Sequence, residues 1–251
     1  MLRALYIAGN GMLTQMKHMD TAGNNISNAN TAGYRKDRSI AASFEDMLLA
    51  NTGKPKRQPG SNVIGPLNPG IHMDETITDH GQGPMEYTGR AADISILGSG
   101  FYTVETQNGV RYIRGGSFFV NNEGYLSAGD GSLLLGVYGP IQPGTDEFTV
   151  DRFGNVFVDD VYIDTLAMVD FQDTNLLVKE GTLLFQNTGG QANFMAAEGE
   201  AVQGYLEGSN VDITQELVQM MSVMRNYDSN QRVIRMLDDT LAKTINEVGR
   251  L

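Results

Sequence analysis

Three histidines, two pairs of adjacent acids, one glycine-flanked serine and one basic cluster are the residues whose types invite chemistry. His18, His72 and His80 could ligate zinc, but they lie in three separate contexts with no HxH or HExxH spacing. Asp159-Asp160 and Asp238-Asp239 could work as acid–base pairs. Neighbours in a strand or helix point apart, however, so solvated faces are the expected role. Gly98-Ser99-Gly100 lacks the third glycine of a dinucleotide fingerprint and reads as a turn between strand-like runs. Lys54, Lys56 and Arg57 sit among prolines without aromatics, which suits a solvated arm better than a nucleic-acid site. There is no GxSxG, P-loop or EF-hand loop. Zero Cys excludes a disulfide framework, a thiolate zinc site and a cysteine nucleophile. The residues therefore assign no catalytic group, metal or cofactor, and no enzyme is expected.

The elements that would position such groups point elsewhere. The 251 residues carry a net charge of -12, which argues against a general nucleic-acid binder. The charge is uneven: residues 1–60 hold +4, residues 61–210 hold -15 and residues 211–251 hold -1. No apolar stretch approaches the ~20 residues of a membrane span, so membrane insertion is not expected. The first 13 residues lack the uninterrupted apolar block of a signal peptide, so export, if any, is expected without a cleaved signal.

Both ends read as helices. After cap candidates at Asp212 and Thr214, steps of three and four land on Leu217, Met220, Met224, Tyr227, Gln231, Ile234, Asp238, Leu241, Ile245 and Val248. Without Gly or Pro between residues 211 and 248, the spacing predicts a helix of roughly 35 residues, ~50 Å long. Such a length wants a partner helix. The N-terminal segment supplies one, with Leu5, Ala8, Met12, Met19, Ala22 and Ile26 in phase and Gln15 the polar exception. Gly9, Gly11 and Gly23 weaken it by roughly 1 kcal/mol each but permit close approach. Eight of the 13 Met lie in these two ends, where an adaptable side chain suits irregular or alternative packing.

The middle changes period. Strands are expected at Asp93–Leu97, 101–105, 110–113, 117–120, 148–150, 156–158, 162–171 and 182–185, with turns at Asn108-Gly109, Glu123-Gly124, Asp130-Gly131 and Phe153-Gly154-Asn155. Short strands, glycine turns and no helical period between them mean an antiparallel β domain. The expected organisation is α+β. Residues 1–34 and 207–251 form a discontinuous coiled coil of terminal helices, 35–79 an extended Pro/Gly-rich arm, and 80–206 an acidic, antiparallel, all-β domain.

Three stretches carry a resemblance. Residues 19–35 read MDTAGNNISNANTAGYR, residues 87–101 read YTGRAADISILGSGF and residues 204–218 read GYLEGSNVDITQELV. Together they resemble the bacterial flagellar basal-body rod and hook axial proteins. The first matches that family's Asn-rich helix end and T-x-G-[FY]-[KR] turn, here Asn24, Asn25, Asn28, Asn30, Thr31, Gly33, Tyr34 and Arg35. The third matches its C-terminal signature, here Gly204, Glu207, Gly208, Ser209, Asn210 and Val211. Residues 113–118 and 121–126 look like its next strands and turn, whereas 127–200 match loosely. One β domain of this size is similar to the proximal (FlgF) and distal (FlgG) rod types, and the residues leave the choice between them open.

The resemblance implies a structural subunit that polymerises with itself, as a helical homo-oligomer, into the hollow drive shaft carrying torque from motor to hook. It implies other rod and hook proteins as partners, passage through the flagellar type III export apparatus, and a place in the basal body within the cell envelope. The assembly seam would be Leu5, Met12, Met19, Ile26, Leu217, Met220, Met224, Tyr227, Ile234, Leu241, Ile245 and Val248. Two other classes are compatible with the composition: a soluble coiled-coil adaptor, and an envelope-acting β-domain enzyme such as a peptidoglycan hydrolase.

Overall fold

A computed structural model describes residues 2–50 and 63–248. Lys54, Lys56, Arg57, Pro55 and Pro59 lie outside the described residues, as does the side chain of Val248. The fold is α+β, with a helix at each end and antiparallel strands between. The chain divides into two compact units. One holds Met1–Ile26, Asp37–Ile77 and Ile213–Leu251; the other holds Ser27–Lys36 and Thr78–Asp212.

In the first unit, helices Leu2–Ser27 and Ile213–Val248 run antiparallel. The register follows from three meetings: Gly11 with Asn230, Gly23 with Met220, and Asn25 with Glu216. Small residues allow it. Ala8, Gly11 and Ala22 are buried, and a Cβ on Gly11 would stand 2.9 Å from the Asn230 Nδ2. Along the C-terminal helix, the covered line is Glu216, Met220, Val223, Tyr227, Gln231, Ile234, Leu237 and Leu241. Among the described residues, no helix is long and apolar enough to cross a membrane.

The arm expected between helix and β domain is a two-stranded ribbon in its described parts. Asp37–Ser43 pairs with Ile71–Thr78, and Met47–Ala50 pairs with Val63–Leu67. Pro66 sits opposite Leu48 in the second pair. Proline is tolerated there because each strand of a two-stranded ribbon is an edge, with one row of backbone groups facing outward. The N-terminal helix rests on this ribbon: His18 Nδ1 lies 2.5 Å from the Ser39 hydroxyl, and a Cβ on Gly70 would contact Ile7.

The second unit is all antiparallel. Its largest sheet has nine strands, with Phe101–Thr106 and Gly109–Ile113 at the centre. A three-stranded sheet of Glu200–Gln203, Asp93–Leu97 and Gly116–Ser117 shares the core, in which Ile94, Ile96, Tyr102, Val104, Phe118 and Leu134 are fully buried. An aromatic cluster of Phe101, Tyr112, Phe171 and Phe185 forms a second core. The stretch expected as one strand over 162–171 is two. Val161–Thr165 belongs to a three-stranded sheet, and Met168–Phe171 joins the large one. The switch falls at Leu166-Ala167, where Ala167 N–H donates to the Leu135 carbonyl and Leu166 is buried. A strand that changes sheets keeps its alternation, so periodicity does not reveal the break.

Candidate functional site

The motif residues 28–35 and 204–210 come together within the second unit. Where the N-terminal helix stops, Asn28 and Thr31 hold each other: Thr31 N–H donates to the Asn28 carbonyl at 3.1 Å, and the Thr31 hydroxyl lies 3.3 Å from Asn28 Oδ1. Tyr34 N–H then donates to the Thr31 carbonyl at 3.2 Å, closing a tight turn. Gly33 takes φ +74°, and a Cβ there would stand 2.5 Å from the Gly115 carbonyl oxygen, so both conformation and space require glycine. Its N–H donates to the Glu207 carbonyl at 2.7 Å. The turn thus delivers Tyr34 and Arg35 into the β unit, both buried.

Glu207 is the hub. Its side chain is fully buried. One carboxylate oxygen accepts from Arg35 Nη2 at 2.6 Å and from Gly83 N–H at 2.8 Å; the other accepts from Arg114 Nε at 3.0 Å. Arg114 also donates to the carbonyls of Ile96, Gly98 and Gly100. Two guanidiniums on one carboxylate leave an excess positive charge, which those carbonyl dipoles help to hold. Burial pulls the Arg35 pKa below its ordinary value, and Glu207 opposes that pull. The backbone is equally tight. Gly208 N–H donates to the Pro84 carbonyl at 2.7 Å, and a Cβ on Gly83 would fall 2.1 Å from the Gly208 oxygen. Lys179 covers the turn, donating to the Arg35 carbonyl at 2.7 Å with its ammonium 3.8 Å from the Tyr34 ring centroid.

Asn210 completes the arrangement in the second unit, and Asn25 acts within the first. Asn210 Oδ1 accepts from Lys36 N–H at 2.8 Å, and its Nδ2 donates to the carbonyls of Asp79 and Gly81. Asn25, buried in the last turn of its helix, grips the first ribbon strand: Nδ2 donates to the Asp37 carbonyl and Oδ1 accepts from Asp37 N–H. The same Nδ2 lies 3.3 Å from the buried Glu216 carboxylate. Gly204, at φ +80°, receives Thr88 and Gly89 N–H groups on its carbonyl. Ser209 is buried and its hydroxyl accepts from Val211 N–H, whereas Asn24 and Asn30 are exposed.

The seam residues separate into two groups. Met12, Met19, Ile26, Met220, Tyr227, Ile234 and Leu241 are half-buried; Leu5, Leu217, Met224 and Ile245 are exposed. Glu216 and Val223, one residue away from Leu217 and Met224, are buried instead. Sequence reasoning missed Arg114, Gly83 and Lys179 as partners of the motif. One signal was present: Arg114 is one of only five basic residues among twenty acids in 61–210, and it follows the apolar Tyr112-Ile113 directly.

The groups first considered for chemistry lie apart. His18 faces Ser39, His72 stacks on Phe44 at 4.4 Å, and His80 packs on Phe101 and Phe185. Asp159 and Asp160 form a hairpin turn with φ of 48° and 62°, and Asp238 and Asp239 are exposed on the helix. Among the described residues, no three His, Asp or Glu side chains are gathered to hold a metal. The arrangement locks distant segments of the second unit together.

Comparison with known proteins agrees with that reading. Residues 5–35 match the family described as flagella basal body rod protein, residues 95–158 the flagellar hook protein FlgE/F/G D1 domain, and residues 202–247 the flagellar basal body rod FlgEFG protein C-terminal family. The flagellar basal-body rod protein FlgG of Bacillus subtilis is 30% identical, over 98% of this chain and 99% of that protein. The flagellar hook-basal body complex protein FlhO of the same organism is 29% identical over the whole of both chains. The flagellar basal-body rod protein FlgF of Caulobacter vibrioides is 30% identical over 99% and 97%. The chain belongs to the flagellar basal-body rod protein family, and it is a structural rod protein of the FlgF/FlgG type, not an enzyme.

Proposed function

We propose that this subunit polymerises through its helix pair into the helical, hollow drive shaft of the basal body, stacking on itself and on other rod and hook proteins. The observation that carries this is the placement of two uncovered apolar stripes. Tyr6, Leu13 and Met16 form one on the N-terminal helix, and Ile213, Leu217, Met221 and Met224 form the other on the C-terminal helix. Residues at steps of three, four or seven share a helix face, so each set is contiguous. Because the helices are antiparallel with Gly11 opposite Asn230, the stripes are offset along the pair, the first near the middle of the C-terminal helix and the second at that helix's start. Their centres are about 17 Å apart at 1.5 Å per residue.

Copies pointing the same way cover one stripe with the other only by shifting along the axis. Each addition then leaves one stripe of each kind free, the condition for an open filament rather than a closed ring or dimer. The same reading takes the helix pair as a coiled-coil-like seam and the acidic β domain as the solvated exterior, which keeps unassembled subunits soluble. Relatives named for the rod and for the hook-basal body complex support a place in the basal body and those partners. Delivery there would use the flagellar type III export apparatus.

The test is a charge in the stripe. Leu217→Asp or Met224→Asp should abolish open-ended polymers in sedimentation and electron microscopy while the β domain keeps its unfolding transition. Polymers that survive both substitutions remove the helix-face reading. A wild-type chain that forms only a closed dimer removes the head-to-tail geometry.

A further inference from the structure

With 13 Met and no Cys, methionine is the only readily oxidised sulfur in the chain. Its exposure follows the architecture. Met16, Met221, Met224 and Met236 are 47–59% exposed, and all four lie on the two helices. Met12, Met19 and Met220 of the same helices are half-buried. In the β unit, Met195 is exposed to a similar degree, 45%. Met221 and Met224 stand one turn apart inside the C-terminal stripe, and Met16 ends the N-terminal one. Three of these four thioethers therefore lie where a neighbouring copy would dock, and Met236 lies further along the C-terminal helix.

We propose that the exposed helix residues Met16, Met221, Met224 and Met236 are oxidised in the free subunit, and that the sulfoxides within the two stripes block stacking of one copy on the next. This rests on the helix-face reading of assembly. The oxidant class is a hydroperoxide, with hydrogen peroxide as the probe. The sulfur lone pair takes one peroxide oxygen as the O–O bond breaks. Sulfur loses two electrons, and the other oxygen leaves as water after proton transfer. The product keeps the length of the side chain but carries a strong acceptor.

The stripe it would dock against presents Leu13, Met16 and the Tyr6 ring, with the Tyr6 hydroxyl and the flanking Asn10 and Lys17 as its nearby side-chain donors. Burying an unpaired polar group there weakens association by about tenfold or more for each sulfoxide. Once a neighbour covers the stripe, the sulfurs are shielded, so the site marks subunits that have not yet assembled. Methionine sulfoxide reductases restore the thioether, which makes the block reversible.

The experiment compares three full-length chains before and after brief hydrogen peroxide treatment: wild type, a variant with all four residues changed to Leu, and Met195→Leu. Leucine conserves volume and helix propensity at these sites, and circular dichroism checks the helices. Peptide mass spectrometry locates the added oxygen, and sedimentation reads polymer. Three results are expected. In wild type, the four helix sulfurs oxidise ahead of Met12, Met19 and Met220, and polymer falls at least about tenfold. The four-Leu variant polymerises with or without peroxide, and Met195→Leu behaves as wild type. Wild type that polymerises normally with all four oxidised overturns this proposal alone. So does a four-Leu variant that loses polymer on oxidation. An untreated wild type that never polymerises overturns it together with the assembly reading.

Discussion

Glu207→Gln removes one charge and almost no volume from the point where residues 28–35 and 204–210 come together. The carboxylate accepts three hydrogen bonds, from Arg35, Gly83 and Arg114. An amide supplies one acceptor oxygen in its place. If that oxygen faces Arg35 and Gly83, the amide NH2 points at the Arg114 donor; if it is flipped, the NH2 points at Arg35 and Gly83. Either way a donor meets a donor, and two buried guanidiniums lose their counter-charge. Breaking a buried ion pair by removing one partner costs about 3–5 kcal/mol. That is a large part of a domain stability of about 5–15 kcal/mol. With a urea m-value of about 2 kcal/mol/M, a loss of about 4 kcal/mol lowers the unfolding midpoint by about 2 M. Urea denaturation of the full chain, followed by tyrosine fluorescence, measures the shift. A second variant, Arg35→Met with Glu207→Gln, should lose less than the sum of the two single changes, because the buried charge and its lost partner go together. A loss below about 1 kcal/mol for Glu207→Gln, or strict additivity in the pair, would refute the hub.

The close approaches make contrasting predictions. Gly83→Ala drives a Cβ to 2.1 Å from a backbone oxygen and should destabilise the β unit by about 3 kcal/mol, the upper end of overpacking costs, in the same urea assay. Gly23→Ala meets only the Met220 methyl at 4.0 Å and should stabilise the helix pair by about 0.5–1 kcal/mol, read as a higher helical melting temperature. Arg111 holds the exposed Glu180 carboxyl below its ordinary pKa through a 2.5 Å hydrogen bond. Because the folded-state pKa is depressed, this contribution is present above the ordinary carboxylate range and is lost as pH falls through the lowered value. A carbon-13 titration should show Glu180 moving up toward the ordinary value in Arg111→Met; no movement would mean that another group holds it down.

The parts of this fold that obey a single period were legible in the sequence. The C-terminal helix follows its 3.6-residue pattern from Ile213 to Val248, and Asn108-Gly109, Asp130-Gly131 and Phe153-Gly154 all turn strands. Where two patterns coexist, period alone does not choose. The C-terminal helix carries apolar residues on two adjacent lines, and the buried one runs through Glu216 and Val223, beside Leu217 and Met224. Glu216 could not be placed inside from its type, because its burial depends on Asn25, 191 positions away. The ribbon was hidden by Pro66 and Gly65, which disfavour strands in sheets but not at edges. At the hub, Gly33, Tyr34, Glu207 and Gly208 stood out by resemblance. Their physical reason is a set of long-range contacts, Glu207 with Arg114 and Gly83, Gly208 with Gly83, Gly33 with Gly115 and Tyr34 with Lys179, which no local pattern contains.

The hub also fixes the order in which the β unit can close. Arg35 and Glu207 are 172 residues apart, and Arg114 and Glu207 are 93 apart. During synthesis, both guanidiniums emerge long before their carboxylate, and the strand that bears Glu207 is the last to join the unit. Native contacts of such separation raise contact order and slow folding. A nascent chain therefore stays open until residue 207 has emerged. The unit can close as soon as Glu207 has emerged, just before the C-terminal helix, and with it the second apolar stripe, follows.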